Sequence, residues 1–181
     1  MPEKSLVLID AENVLRSWQN FCKINNLNER VDYVKLRDTV SKDTNLLRAY
    51  FYDGVPENIP LKKKNFLDSL RKSGIQPRTK VLKNRHYFCN KCGDSGLRAI
   101  QKGVDVSLAT DILRHAWQGT CDICIVVSGD EDYKDAIDVV KDKGIKVWIV
   151  SFKSSLSKEL SLSADKVILL DDIFHDIKRQ F

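Results

Sequence analysis

The segment "CDICIVVSGDEDYKDAIDVV" runs an apolar stretch, Cys121 to Val127, directly into Asp130, Glu131 and Asp132. A turn requires a Gly or a single Asp, and a dense negative charge adds nothing to turning. Two further acids stand in comparable places. Asp10 ends the apolar run "SLVLI", and Asp105 in "KGVDVSLATDILRHAW" opens a helical pattern, with Asp111 about a turn and a half further on. Taken singly, each acid has an ordinary role as an N-cap accepting backbone N–H bonds. Taken together they repel, and each raises its neighbours' pKa. A hard dication such as Mg2+ or Mn2+ removes that cost, because it takes carboxylate oxygens and retains waters. Such an ion activates water and offsets developing charge in phosphoryl chemistry.

The charge distribution points to the same substrate class. Residues 61–102 hold 12 Lys or Arg against two acids, Asp68 and Asp94, while the whole chain of 181 residues carries a formal net charge of only +5. One basic segment set in an otherwise mildly acidic chain favours a polyanion bound to one face. Lys102, beside Gly103 and near Asp105, is placed to neutralise a phosphate at the acids. Lys62, Lys63, Lys64, Lys83 and Arg85 would hold a strand further out, without reading its sequence. Tyr52, Tyr87 and Phe88 are candidates for stacking on unpaired bases, or for the core.

The elements that must position these side chains alternate in type. Apolar runs at 5–9, 46–52, 122–127, 146–150 and 166–170 read as buried strands. Helical periodicity occupies 11–24, 31–41, about 59–73 ending on Gly74, 105–117, 131–143 and 155–161, with a last helical turn at the C-terminus. "IQPRTKVLK" and "RHYFC" read as strands of a hairpin, with "NKCGDSG" as its turn, so a small Cys-containing insertion is expected at about 75–101. Strands apolar throughout and separated by helices predict an α/β/α sandwich on a mainly parallel sheet. Ligands of such sheets bind at the carboxyl ends of the strands, near the reversal of strand order. Asp10 and Asp130 both follow strands at that edge.

Length and composition suit one domain spanning residues 1–181, with 43% hydrophobic and 30% charged residues. No apolar run approaches the roughly 20 residues that cross a bilayer, and "MPEKSLVLID" lacks a signal-peptide core. A cytoplasmic protein without a membrane partner is the expectation. The five cysteines form no extracellular disulfide pattern. Cys89 and Cys92, with His86, have spacings that suit zinc, but a closed structural site needs four ligands. A two-fold dimer supplying Cys89 and Cys92 twice would complete it; the other reading is a metal-free hairpin with two thiols.

"LVLIDAEN", "YFYDG", "KGVDVSLATDI", "VVSGDEDYKDAI" and "VSFKSSLSKELSLSADKVILLD" stand in the order seen in NYN domains, and the chain resembles the LabA-like branch of these PIN-like nucleases. The resemblance covers nearly the whole chain. It implies a parallel sheet of order 3-2-1-4-5 and an Mg2+- or Mn2+-dependent ribonuclease site. Carried over by motif, Asp10, Asp105, Asp130 and Asp132 would hold the metal, Asn13 and Asp111 would support them, and Ser128 would orient the loop. Some LabA-like relatives carry a similar Cys-x-x-Cys insertion before KGVD. Ala11 and Glu12 depart from the usual Gly after the first Asp, and Glu131 adds an acid between the paired aspartates. A catalytically silent RNA-binding or regulatory module on the same fold is the competing expectation. A haloacid dehalogenase-type phosphatase would place Asp where Glu12 stands, and is set aside.

Overall fold

The apolar runs that follow one another with helices between them become parallel strands, because each can be covered on both faces only by crossover helices. In the computed structural model, which describes residues 2–88, 92–100 and 103–179, β1 (Lys4–Asp10) is buried from Ser5 onward. The chain continues through α1 (Ala11–Ile24), α2 (Tyr33–Ser41), β2 (Asn45–Val55), α3 (Leu61–Lys72) and β3 (Ile75–Val81). A hairpin of β4 (Lys83–Phe88) and β5 (Ser95–Ile100) leads to α4 (Val104–Trp117) and β6 (Ile123–Val127). A 3-10 turn, Glu131–Tyr133, precedes α5 (Lys134–Asp142), β7 (Lys146–Ser151), α6 (Lys158–Ser163), β8 (Lys166–Leu169) and α7 (Leu170–Ile177).

The main sheet has six strands in the order β3-β2-β1-β6-β7-β8, all parallel. With the hairpin set aside, this is the expected order 3-2-1-4-5 with one more strand, β8, on the β7 edge. Two cores follow from the two faces. On one, α1 contributes Ala11, Val14, Trp18 and Cys22, a stripe at helical spacing, which packs with α2, α3 and α7 over Val7, Ile9, Phe51 and Val127. Trp18 stacks on Phe174 at 4.5 Å and meets Phe152 edge-on at 6.0 Å. On the other face, α4, α5 and α6 cover Leu6, Leu8, Tyr50, Tyr52 and Val126.

Residues 75–101 fold differently from the sequence reading. "IQPRTKV" does not turn back on the segment after it; it pairs parallel to β2 from Ala49↔Ile75 to Val55↔Val81. The α3 crossover delivers it there, and Pro77 is tolerated because β3 is an edge strand. The hairpin therefore starts at Lys83 instead of about 75, and its second strand is Ser95–Ile100, paired antiparallel from Lys83↔Ile100 to Phe88↔Ser95. Other element boundaries fall within a few residues of the expectation, except that the last helix runs for two turns.

Strand order reverses between β1 and β6. The chain moves outward from β1 to β3, then returns through the hairpin and α4 to β6, and moves outward again the other way. Neighbouring crossovers lie on opposite faces at that point, which leaves a crevice beyond the carboxyl ends of β1 and β6.

Candidate functional site

Asp10 is the last residue of β1 and the N-cap of α1: its Oδ1 accepts from the Asn13 amide at 3.1 Å. The cap accounts for only one of its bonds. Asp10 Oδ2 also accepts from Ser128 Oγ at 3.2 Å and from the Tyr133 hydroxyl at 3.0 Å. The side chain is buried at 3% exposure, and burial, aided by the charge of Asp105, holds its carboxyl above the usual carboxylate range.

Asp105 lies in the first turn of α4, where a carboxylate complements the helix dipole. Gly103 caps that helix at φ 93°, a left-handed conformation that a side chain disfavours. Asp105 Oδ1 lies 3.3 Å from the same Tyr133 hydroxyl that reaches Asp10. One hydroxyl carries one proton, so it serves two carboxylates only by sharing it, or by accepting from a protonated one. Burial raises the Asp105 pKa, and the nearby charges of Asp130, Asp132 and Glu12 raise it further. Acids from β1, α1, α4 and the loop after β6 thus share one electrostatic neighbourhood.

The loop after β6 is tied to β1 by short polar side chains. Asn13 Oδ1 accepts from the Gly129 amide at 3.1 Å, and Ser128 Oγ accepts from the Asp130 amide at 3.3 Å. Asp130 caps the 3-10 turn by accepting from the Asp132 amide at 3.2 Å, and both side chains are exposed. Asp132 also lines a cleft of about 290 Å³ with Glu131, Lys134, Asp135 and Glu159.

The remaining expected residues are placed as follows. Asp111 is buried about two turns along α4, accepting from the Tyr52 hydroxyl at 2.7 Å and pairing with Arg114 at 2.7 Å, away from the carboxylate group around Tyr133. Tyr52 is wholly buried and belongs to the core. Lys62 and Lys64 are exposed on α3, whereas Lys63 turns inward to pair with Asp53. Lys83 and Arg85 belong to β4; Lys102 and Cys89 lie outside the described residues, and Cys92 is an exposed thiol.

Sequence reading missed three members of this edge. Asp53, buried near the end of β2 in "YFYDG", has its carboxyl raised by burial against the pull of Lys63 and lies near Glu12. The rule that singled out Asp10, an acid at a strand's carboxyl end, applies to it equally. Glu12, in the first turn of α1 and paired with Arg16, adds its charge to the field at Asp105. Tyr133, in "SGDEDY", carries no charge pattern, and nothing local marks it as the bridge.

Oxygen donors alone suit a hard cation in kind. Asp10 already accepts three hydrogen bonds, of about four that a carboxylate can take, while Asp105 keeps open oxygen sites. Among the described residues no three His, Cys, Asp or Glu side chains stand close enough together, as placed, to hold an ion by themselves. Mg2+ is commonly bound by one or two carboxylates and waters, so the donor set fits with Asp10 and Asp105 as the inner pair.

Fold and site together define an α/β protein with carboxylates gathered at the switch point of a parallel sheet. The NYN domain model matches residues 4–171, and the chain belongs to the NYN domain family, within the PIN-like nuclease superfamily. It is similar to the Low amplitude and bright protein LabA of Synechococcus elongatus, 27% identical over 173 residues, which cover 95% of this chain and 86% of that protein. Its fold matches the crystal structure of a protein of unknown function from Vibrio parahaemolyticus, with TM-score 0.72, 21% identity, and coverage of 98% of this chain and 97% of that one. Among the described residues, no helix is long and apolar enough to cross a membrane.

Proposed function

We propose that the chain is a metal-dependent ribonuclease that hydrolyses RNA phosphodiester bonds at the edge bearing Asp10, Asp105, Asp130 and Asp132. One observation carries the reading: Asp10 and Asp105, far apart in the chain, meet at the Tyr133 hydroxyl, with Asp130, Asp132 and Glu12 near enough to raise the Asp105 pKa. Family membership supports it, since NYN domains are generally RNA-binding nucleases. Mg2+ or Mn2+, bound there, supplies Lewis acidity to a phosphodiester and lowers the pKa of water.

The protein's own contribution is placement. The caps at Asp10 and Asp130 set the carboxylates at strand ends, and Ser128 and Asn13 hold the two loops in register. Tyr133 keeps Asp10 and Asp105 together against their repulsion. The exposed Lys62 and Lys64 would attract the phosphate backbone.

Single-stranded RNA incubated with Mg2+ or Mn2+ is expected to be cleaved, and chelator to stop it. Asp10→Asn and Asp130→Asn should each lower the rate by at least about 100-fold, the scale of losing electrostatic stabilisation of a transition state, with RNA affinity nearly kept. Undiminished turnover in Asp130→Asn would remove the mechanism.

A second reading, a silent RNA-binding or regulatory module, has its own observation. Asp10 is nearly saturated by protein donors, and the described acids converge in pairs only. RNA affinity without cation-dependent cleavage is its mark. A structural Zn2+ at Cys89 and Cys92, shared by a homodimer, is a separate proposal, tested by metal analysis of untagged protein. The cytoplasm remains the proposed compartment.

A further inference from the structure

Away from the carboxylates, the face of β3 on the α4 side is left open. Gln76, Arg78 and Lys80 alternate along it and all are exposed. At its amino end lies a groove of about 490 Å³ lined by Arg48, Arg71, Gly74, Gln76, Pro77 and Arg78. Three of these are arginines, brought from β2, α3 and β3, and among the described residues no carboxylate lines the groove.

The arginines are only lightly neutralised. Arg48 donates to the neighbouring Leu47 carbonyl at 2.9 Å and pairs with no carboxylate among the described residues. Arg71 pairs with Asp68 at 2.5 Å, with both side chains about half exposed, an arrangement worth little in water. Arg78 lies 5.2 Å over the Tyr50 ring, with its Nε 3.9 Å from Asp111, which Arg114 already holds. An arginine fork matches phosphate geometry better than a flexible ammonium does.

Sheet register connects the groove to the acids. Asp10 stands opposite Tyr52, and Tyr52 opposite Arg78, so Arg78 is two strands from Asp10 at the same level, about 10 Å away. Arg48 stands opposite Leu6, four residues nearer the amino end, or about 13 Å lower. The basic row thus starts level with the candidate site and leads away from it. Among the described residues the groove lining carries no aromatic side chain to stack on bases, which suits backbone contact without sequence readout.

We propose that this groove binds backbone phosphates of the RNA strand that the carboxylate edge acts on, as a subsite remote from the scissile bond. The proposal rests on the ribonuclease reading for the identity of the ligand.

The test is fluorescence anisotropy of a labelled single-stranded RNA in chelator, across a salt series, with the wild type, Asp130→Asn and Arg48→Gln/Arg71→Gln. Both arginines are exposed, so the double variant should keep the wild-type melting temperature. Its affinity is expected to fall about tenfold, and the slope of log affinity against log salt to shrink by about 1.4, or about 0.7 for each of two phosphate contacts. Asp130→Asn should bind at least as tightly as the wild type, since it removes a carboxylate that repels phosphate when no cation is present. Unchanged affinity and slope in the double variant overturn the proposal, even beside Asp130-dependent cleavage, which would leave the nuclease reading intact. Absence of RNA binding by the wild type overturns it too. Arginine-dependent binding without cleavage in Mn2+ upholds the groove and removes the nuclease. Pyrophosphate raising the melting temperature of the wild type alone, with RNA affinity unchanged, assigns the groove to a small phosphate and overturns the RNA proposal.

Discussion

Tyr133 holds one proton between two carboxylates, and this makes the edge sensitive to pH. Burial holds Asp10 above the ordinary Asp value of 3.8, and Asp105 likewise. A carboxyl whose folded pKa exceeds its unfolded pKa binds more protons in the folded state between the two values, so stability falls as pH rises through that window. The stability it contributes is therefore complete below pH about 4 and lost above the folded value. Urea denaturation in chelator should show this as a difference between wild type and Asp10→Asn. The two midpoints should lie closest near pH 4, and the variant should gain on the wild type as pH climbs to 7. Curves that stay parallel would mean that Asp10 is charged without cost. Glu12, Asp53 and Tyr133 were legible in the sequence only as an acid in a helix, an acid after a strand and an aromatic, because their partners come from other elements.

At the scale of elements, the crevice depends on how closely the loops after β6 and β7 approach. A Cβ built on Gly129 would lie 2.2 Å from the Ser155 carbonyl oxygen and 2.5 Å from Ser151 Oγ. The Gly129 carbonyl in turn accepts from the Ser157 amide at 3.0 Å. Backbone against backbone cannot yield cheaply, so Gly129→Ala should cost about 3 kcal/mol or more. Gly103 differs: among the described residues nothing lies within 4 Å of its Cβ position, and its φ of 93° is what resists substitution. Gly103→Ala should cost about 1–2 kcal/mol. Denaturant titration of both variants checks the order, and equal losses would contradict the packing argument. Helix boundaries such as Ala11–Ile24 were readable because periodicity is local. The pairing of "IQPRTKV" was not, because a short alternating run has no mark that distinguishes a parallel neighbour from a hairpin partner.

At the scale of the molecule, two cores lie on opposite faces of one sheet, while β4 and β5 pair with each other as a separate two-stranded sheet. Replacing 83–100 by a flexible linker should therefore leave a single cooperative unfolding transition, with stability within about 1 kcal/mol, since loop length costs little entropy. RNA affinity should drop about tenfold with the loss of the basic residues Lys83, Arg85, Lys91 and Arg98. Calorimetry and anisotropy on one preparation measure both, and a broad or lost transition would make the hairpin part of the core.

The amino-acid order alone determined the α/β class, the strands that Asp10 ends and Asp130 follows, and the basic character of 61–102. Each is encoded locally, since hydrophobic period and charge density need no knowledge of neighbours. Tertiary structure decided that Asp105 faces Asp10 across Tyr133, that Asp53 and Glu12 join that edge, and that Arg48, Arg71 and Arg78 line one groove. Those meetings depend on strand order and on the face each crossover helix takes, which are settled when the whole sheet is buried at once.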